Sequence, residues 1–145
     1  TELRGFNLAH REQGAIRYGQ AQLDISDKMD VEADRARYEA DRRKDLRLAR
    51  EEGIDAALES HDLDALLMPA WRGENIINKA GYPAVSVPFA TVPNATDPPL
   101  PADFDAKPMP FGVTFAGTAC SEPRLVALAY AFEQATQARR PPALP

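Results

Sequence analysis

The chain has 145 residues, 44% of them hydrophobic and 27% charged, with a net charge of −5 and a pI near 5.0. That length suffices for one ordinary core, and the composition is that of a soluble globular domain. The acidic balance leaves no basic patch for nucleic acid, no apolar run approaches the roughly 18 residues of a membrane span, and a single cysteine, Cys120, excludes an internal disulfide framework.

Charge and proline divide the chain. Residues 1–61 carry 25 of the 39 Asp, Glu, Lys and Arg residues and no proline, while residues 62–145 carry all 13 prolines. The first segment is expected to be helical. The second is expected to hold strands, turns and one capped helix.

In chain order, Thr1 is placed to cap a helix running towards Tyr18 or Gly19, with Leu3, Phe6, Leu8 and Ile16 as its apolar positions. A further helical turn is expected from Gln20 to Lys28. From Val31 to Ser60, Tyr38, Leu46, Ala49, Gly53, Ile54, Ala57 and Leu58 recur near one side at helical spacing. Arg and Lys alternate with Asp and Glu along the rest of that stretch, which reads as a solvated face.

Strand one is expected over Leu63–Met68, stopped by Pro69. Ala70–Ala80 reads as a loop or short helix. Strand two is Ala84–Ala90, within Gly81-Tyr82-Pro83-Ala84-Val85-Ser86-Val87-Pro88-Phe89, an apolar run fenced by Gly and Pro. The proline-rich stretch Val92–Pro110 holds no regular element, and strand three is Phe111–Gly117. Ser121-Glu122-Pro123 opens a last helix, with Ser as cap and acid in the first turn. Leu125, Leu128, Ala129, Phe132 and Ala135 form its stripe. Arg139 and Arg140 are expected at its C-terminal dipole, and Pro141-Pro142 stop it. Strands two and three oppose apolar residues to small, uncharged ones, the pattern of a sheet covered on both faces. The helices present suffice for one face, so other elements are expected on the second.

The residues by themselves carry little chemistry. Ser86 or Ser121 with His61 would make a formal nucleophile and base, but Ser86 lies inside a strand and Ser121 suits a cap. His10 and His61 read as surface residues. Cys120 reads as a small buried residue at a turn, a thiol activated by the helix start being the alternative. No Cys or His pair has metal spacing. Trp71 with Arg72, between two elements, is the best pocket-wall candidate, with a loop filler as the equal alternative.

Four blocks in order carry a resemblance. They are Leu63-Asp64-Ala65-Leu66-Leu67-Met68-Pro69, then Ala80-Gly81-Tyr82-Pro83-Ala84-Val85-Ser86-Val87-Pro88, then Pro110-Phe111-Gly112-Val113-Thr114-Phe115. The fourth is Ser121-Glu122-Pro123 with Leu128-Ala129-Tyr130-Ala131-Phe132-Glu133-Gln134-Ala135-Thr136. Together they resemble the C-terminal end of an amidase-signature enzyme, and Phe6-Asn7 and Gly19-Gln20 extend the likeness upstream.

The resemblance implies an α/β fold: the C-terminal part of a layered mixed sheet, helices packed around about three strands, with residues 1–61 and 62–145 together forming part of one larger domain. It implies hydrolysis of carboxamide C–N bonds by a serine nucleophile, a second serine joined by a cis peptide, and a lysine, without metal or organic cofactor. None of Ser26, Ser60, Ser86 and Ser121 stands in a Gly/Ser-rich run, and none of Lys28, Lys44, Lys79 and Lys107 matches the family's catalytic position. The expectation is therefore that no catalytic residue lies here, and that Trp71, Arg72, Glu74 and Asn75 contribute a substrate-pocket wall.

The expected partners are the N-terminal catalytic portion of the same enzyme, a small-molecule amide and, in one form, a second copy, with no nucleic acid or membrane. The expected location is cytoplasmic. A start at Thr1 rather than Met fits a fragment or processed product. A non-catalytic binding or scaffold module stays open as the alternative.

Overall fold

The computed structural model describes residues 2–16, 18–95 and 99–141. Two compact units form, Thr1–Asp41 and Arg42–Pro145. Thr1 as a cap, Pro142 in the C-terminal stop and residues 96–98 of the proline-rich stretch lie outside the described residues. The compositional break after residue 61 marks the change from helix to strand within the second unit.

In the first unit, α1 spans Glu2–Ala9, a 3₁₀ turn spans Arg11–Gln13 and α2 spans Ala21–Lys28. The long helix expected towards Tyr18 therefore stops nine residues early. His10 leaves the helical region at φ −106°, ψ 18°. Its ring stacks on Phe6 at 4.1 Å, with Nδ1 2.8 Å from the Phe6 carbonyl. Gly14, at φ +85°, then closes the 3₁₀ turn. Polar contacts join α1 to α2: Arg4 Nε donates to Asp24 Oδ1 at 2.6 Å, and Asn7 Nδ2 donates to Gln20 Oε1 at 3.2 Å. Neither helix buries a residue.

The next helix, α3, spans Arg35–Asp45 rather than starting at Val31. Asp30 Oδ1 accepts the N–H groups of Glu32 and Ala33, so the chain turns before it winds. In the second unit the helix continues as a π segment, Leu46–Asp55, and ends as α4, Ala56–Ser60. Bonding from i to i+5 brings residues five apart to the same side. Two pairs use this spacing. Arg47 binds Glu52 through both carboxylate oxygens at 2.9 and 3.0 Å, and Arg50 and Asp55 meet at one hydroxyl described below. Ala49, Ile54 and Leu58 are buried as the periodicity requires, whereas Tyr38 is exposed.

The end of α4 corrects the first strand. Asp62 takes a left-handed conformation at φ +49°. Its N–H bonds the Glu59 carbonyl and that of Leu63 bonds the Leu58 carbonyl, the paired bonds of a Schellman cap. Leu63 is thus part of a helix end, and β1 begins only at Leu66, running Leu66–Pro69.

Three strands, β1, β2 (Ala84–Val92) and β3 (Met109–Ala116), form an antiparallel sheet in the order β1-β3-β2. Pro88 lies in an edge strand, where a missing N–H is tolerated. The register slips between Pro88 and Ala90, leaving Phe89 as a bulge. Gly112 faces this irregularity, and a Cβ there would lie 2.9 Å from the Val87 carbonyl oxygen.

The final helix, α6, spans Glu122–Thr136 and covers the face bearing Phe89 and Phe115, whose rings pack on Phe132 at 5.8 and 5.7 Å. Leu125 and Ala129 are buried beneath it, while Ala135 is exposed. Two expectations about its ends change. Ser121 stands at the N-cap position, but its hydroxyl donates to the Thr118 carbonyl instead of accepting from the helix. The helix ends at Thr136 with Gln137 left-handed, so Arg139 and Arg140 lie beyond its last turn.

The opposite face is not bare. Ala49, Ile54 and Leu58 of the helix pack with Ala116 of β3 and with Ile77 and Ala80 of α5, Glu74–Ala80, against Leu66, Met68 and Tyr82. Cover is incomplete at the edge, where Ala84, Ser86 and Pro88 of β2 are exposed. The expectation of one open face thus narrows to one open strip.

Candidate functional site

The loop between β1 and α5 holds the residues that the sequence singled out. Its entry is strained: Ala70 has φ +50°, a left-handed conformation that costs a non-glycine residue about 1 kcal/mol or more. Two bonds tie it to the sheet. The Ala70 N–H donates to the Gly112 carbonyl at 2.8 Å, and the Ala70 carbonyl accepts from Thr114 Oγ1 at 2.9 Å. Thr114 Oγ1 in turn lies 2.8 Å from Ser86 Oγ. A hydroxyl has one proton, and that of Thr114 is directed at Ala70, so Ser86 is the donor to Thr114. At the other end Gly73 has φ +104°, and a Cβ there would lie 1.9 Å from Met68 Sδ. Only glycine fits.

Trp71, Arg72, Glu74 and Asn75 follow one another on this loop and the first turn of α5, and all four are exposed. Trp71 is 56% exposed, so its ring is not enclosed by its own loop. Glu74 alone of the four lines a hollow of about 350 Å³, with Ile77, Asn78, Ala84, Ser86 and Thr114. A larger groove of about 920 Å³ lies between the β2–β3 edge and the segment after α6, and contains none of the four.

Behind α5 is a second polar assembly. Gly81, left-handed at φ +72°, caps α5, and the Tyr82 N–H bonds the Ile77 carbonyl in a second Schellman arrangement. This places the Tyr82 hydroxyl between two charges. It donates to Asp55 Oδ1 at 2.6 Å and accepts from Arg50 Nε at 3.0 Å, while the guanidinium lies over the ring at 5.1 Å. Burial pushes the phenol's pKa up, and the bond to Asp55 pushes it further the same way. Lys79 on Asp45 (2.6 Å) and Arg42 on the Lys79 carbonyl complete the attachment of α5.

Each of the four serine hydroxyls bonds a neighbouring residue. Ser26 donates to the Gln22 carbonyl, Ser60 to that of Ala56, Ser121 to that of Thr118, and Ser86 to Thr114. Cys120 is exposed at φ +63°, which corrects the expectation of a buried residue. Among the described residues no group of three or more His, Cys, Asp and Glu is placed to hold a metal ion, and no helix is long and apolar enough to cross a membrane.

Sequence reasoning missed the Ser86–Thr114 pair and the Tyr82 assembly. Alternation had put Ser86 and Thr114 on the small-residue faces, but their meeting depends on register. Arg50 and Asp55 are five apart and look separated on an α-helix.

No protein-family model matches the chain. A putative amidase of Arthroderma benhamiae is 32% identical over 139 residues, 94% of this chain and 24% of that protein. A probable amidase of Arabidopsis thaliana is 34% identical over 90 residues, 62% of this chain and 15% of its own length. The crystal structure of an amidase family protein from Bacillus anthracis superposes with a TM-score of 0.73 at 27% identity, over 99% of this chain and 25% of that one. The chain belongs to the amidase family. A further solved structure, PAM12A, matches at 39% identity and a TM-score of 0.72 over 97% of this chain and 29% of its own. This amidase-family chain therefore spans about a quarter or less of the curated relatives it matches.

Proposed function

We propose that this chain is the C-terminal portion of an amidase that hydrolyses carboxamide C–N bonds by serine nucleophilic catalysis. The serine pair and lysine stand outside this chain, and Trp71, Arg72, Glu74 and Asn75 line the substrate pocket. One observation carries the reading: the likeness to amidases runs over nearly the whole chain but a minor part of each relative, while every serine hydroxyl here is bound to a neighbour. An exposed tryptophan on a loop pinned to the sheet supports the pocket assignment.

The test uses the protein that carries this chain, assayed with aryl, aliphatic and primary amides. Trp71→Ala should change the ratio of specificity constants between substrates by about tenfold, the scale of one pocket contact, with little change in Tm. The 145-residue chain alone, with Ser86→Ala and Ser121→Ala beside it, should not turn over amides. No amide hydrolysis by the larger protein would favour the scaffold reading. Turnover by the short chain that vanishes with either serine would refute the placement of the nucleophile.

A further inference from the structure

We infer that Thr114 is a positioning residue for the Trp71–Asn75 loop, with Ser86 holding its hydroxyl in the required orientation. The inference rests on the reading of that loop as a pocket wall. Ala70 joins β1 to the loop, and its left-handed backbone is unfavourable for an alanine. What holds it is the pair of bonds to β3: its N–H to the Gly112 carbonyl, and its carbonyl to Thr114 Oγ1. The first is backbone and survives any side-chain change. The second depends on one hydroxyl.

Thr114 is 7% exposed, so its hydroxyl has little access to water and must find its partners within the protein. The Ser86 hydroxyl, donating from the neighbouring strand, fills its acceptor side and leaves its proton for Ala70. Ser86 and Thr114 are direct cross-strand partners in β2 and β3, so the sheet register itself aims the chain of hydroxyls at the loop. Both also line the hollow beside Glu74. A change at Thr114 therefore acts on the pocket through the backbone at Ala70, without itself being a catalytic residue.

The experiment compares Thr114→Val with Thr114→Ser in the full protein carrying this chain. Valine keeps the branched shape that suits a strand, and serine keeps the hydroxyl. Amide hydrogen exchange over residues 70–74 should quicken roughly two- to tenfold in the valine variant, the range for one lost hydrogen bond. The preference among amides should shift in the direction seen for Trp71→Ala, and Thr114→Ser should restore both. Unchanged exchange and preference in Thr114→Val, with Trp71→Ala still altering preference, would overturn the positioning role alone. Faster exchange with preference unmoved by either Thr114→Val or Trp71→Ala would instead overturn the pocket assignment. A fall in Tm unaccompanied by a change in exchange or preference would make Thr114 merely structural. The same would follow if serine failed to rescue.

Discussion

The two compact units bear their apolar residues differently. In Arg42–Pro145 the amphipathic stripes meet cover: Ile54, Leu125 and Ala116 are almost entirely buried, and each helix that packs on the sheet does so through its apolar side. In Thr1–Asp41 the stripe is present, but among the described residues none of it is fully buried. Phe6 is 60% exposed, and Leu3, Ile25, Val31 and Tyr38 are exposed as well. Its helices are joined by Arg4–Asp24 and Asn7–Gln20 instead. An amphipathic pattern specifies a surface that needs a partner, but not the partner. Isolated helices of eight residues are marginal in water, so the first unit, taken by itself, is the less secure of the two.

The strongest way to break this comparison is a pair of truncations. Leu125→Ala should destabilise the chain by about 2–5 kcal/mol, as for other buried leucines, while Phe6→Ala should stay within about 0.5 kcal/mol. Urea unfolding followed by circular dichroism measures both. Equal costs would mean that the first unit is as well packed as the second. In the larger protein, a rise in the Phe6→Ala cost to a few kcal/mol would sharpen the contrast by showing that the stripe is covered there.

Next in size is Tyr82→Phe in the second unit. It removes a hydroxyl shared by Asp55 and Arg50 and should cost about 1–3 kcal/mol. The pH dependence has a definite sign. The folded protein holds the phenol proton more tightly than the unfolded chain, so this contribution is whole below the ordinary tyrosine pKa and is lost as pH rises through the raised folded value. The stability gap between the native protein and Tyr82→Phe should therefore shrink in strongly alkaline solution. A gap that widened there would contradict the geometry.

The smallest effect belongs to the first unit. Arg4→Ala should weaken the helical signal of α1 and α2 slightly, and added salt should produce much of the same loss in the unaltered chain, since Arg4 and Asp24 are partly open to solvent. A large, salt-insensitive loss of global stability would show that the contact belongs to a buried core.

Much of the fold was legible because its signals are local. Gly81 and Pro83 fence the apolar run that became β2, the run from Phe111 became most of β3, which already begins at Met109, and the stripe Leu125, Leu128, Ala129 and Phe132 became the inward side of α6. The exposed loop from Trp71 to Asn75 was likewise readable as a segment between two elements, with its role resting on resemblance. Tertiary structure decided the rest. The order β1-β3-β2 follows from packing between distant segments, and only that order sets Ser86 beside Thr114. In the π segment residues five apart come together, which α-helical spacing conceals; Arg50 and Asp55 were hidden in a charge run until Tyr82 lay between them. Ala70 shows the same limit most plainly: a left-handed alanine is unfavourable by local propensity, and it is held there by Gly112 and Thr114, more than forty residues away.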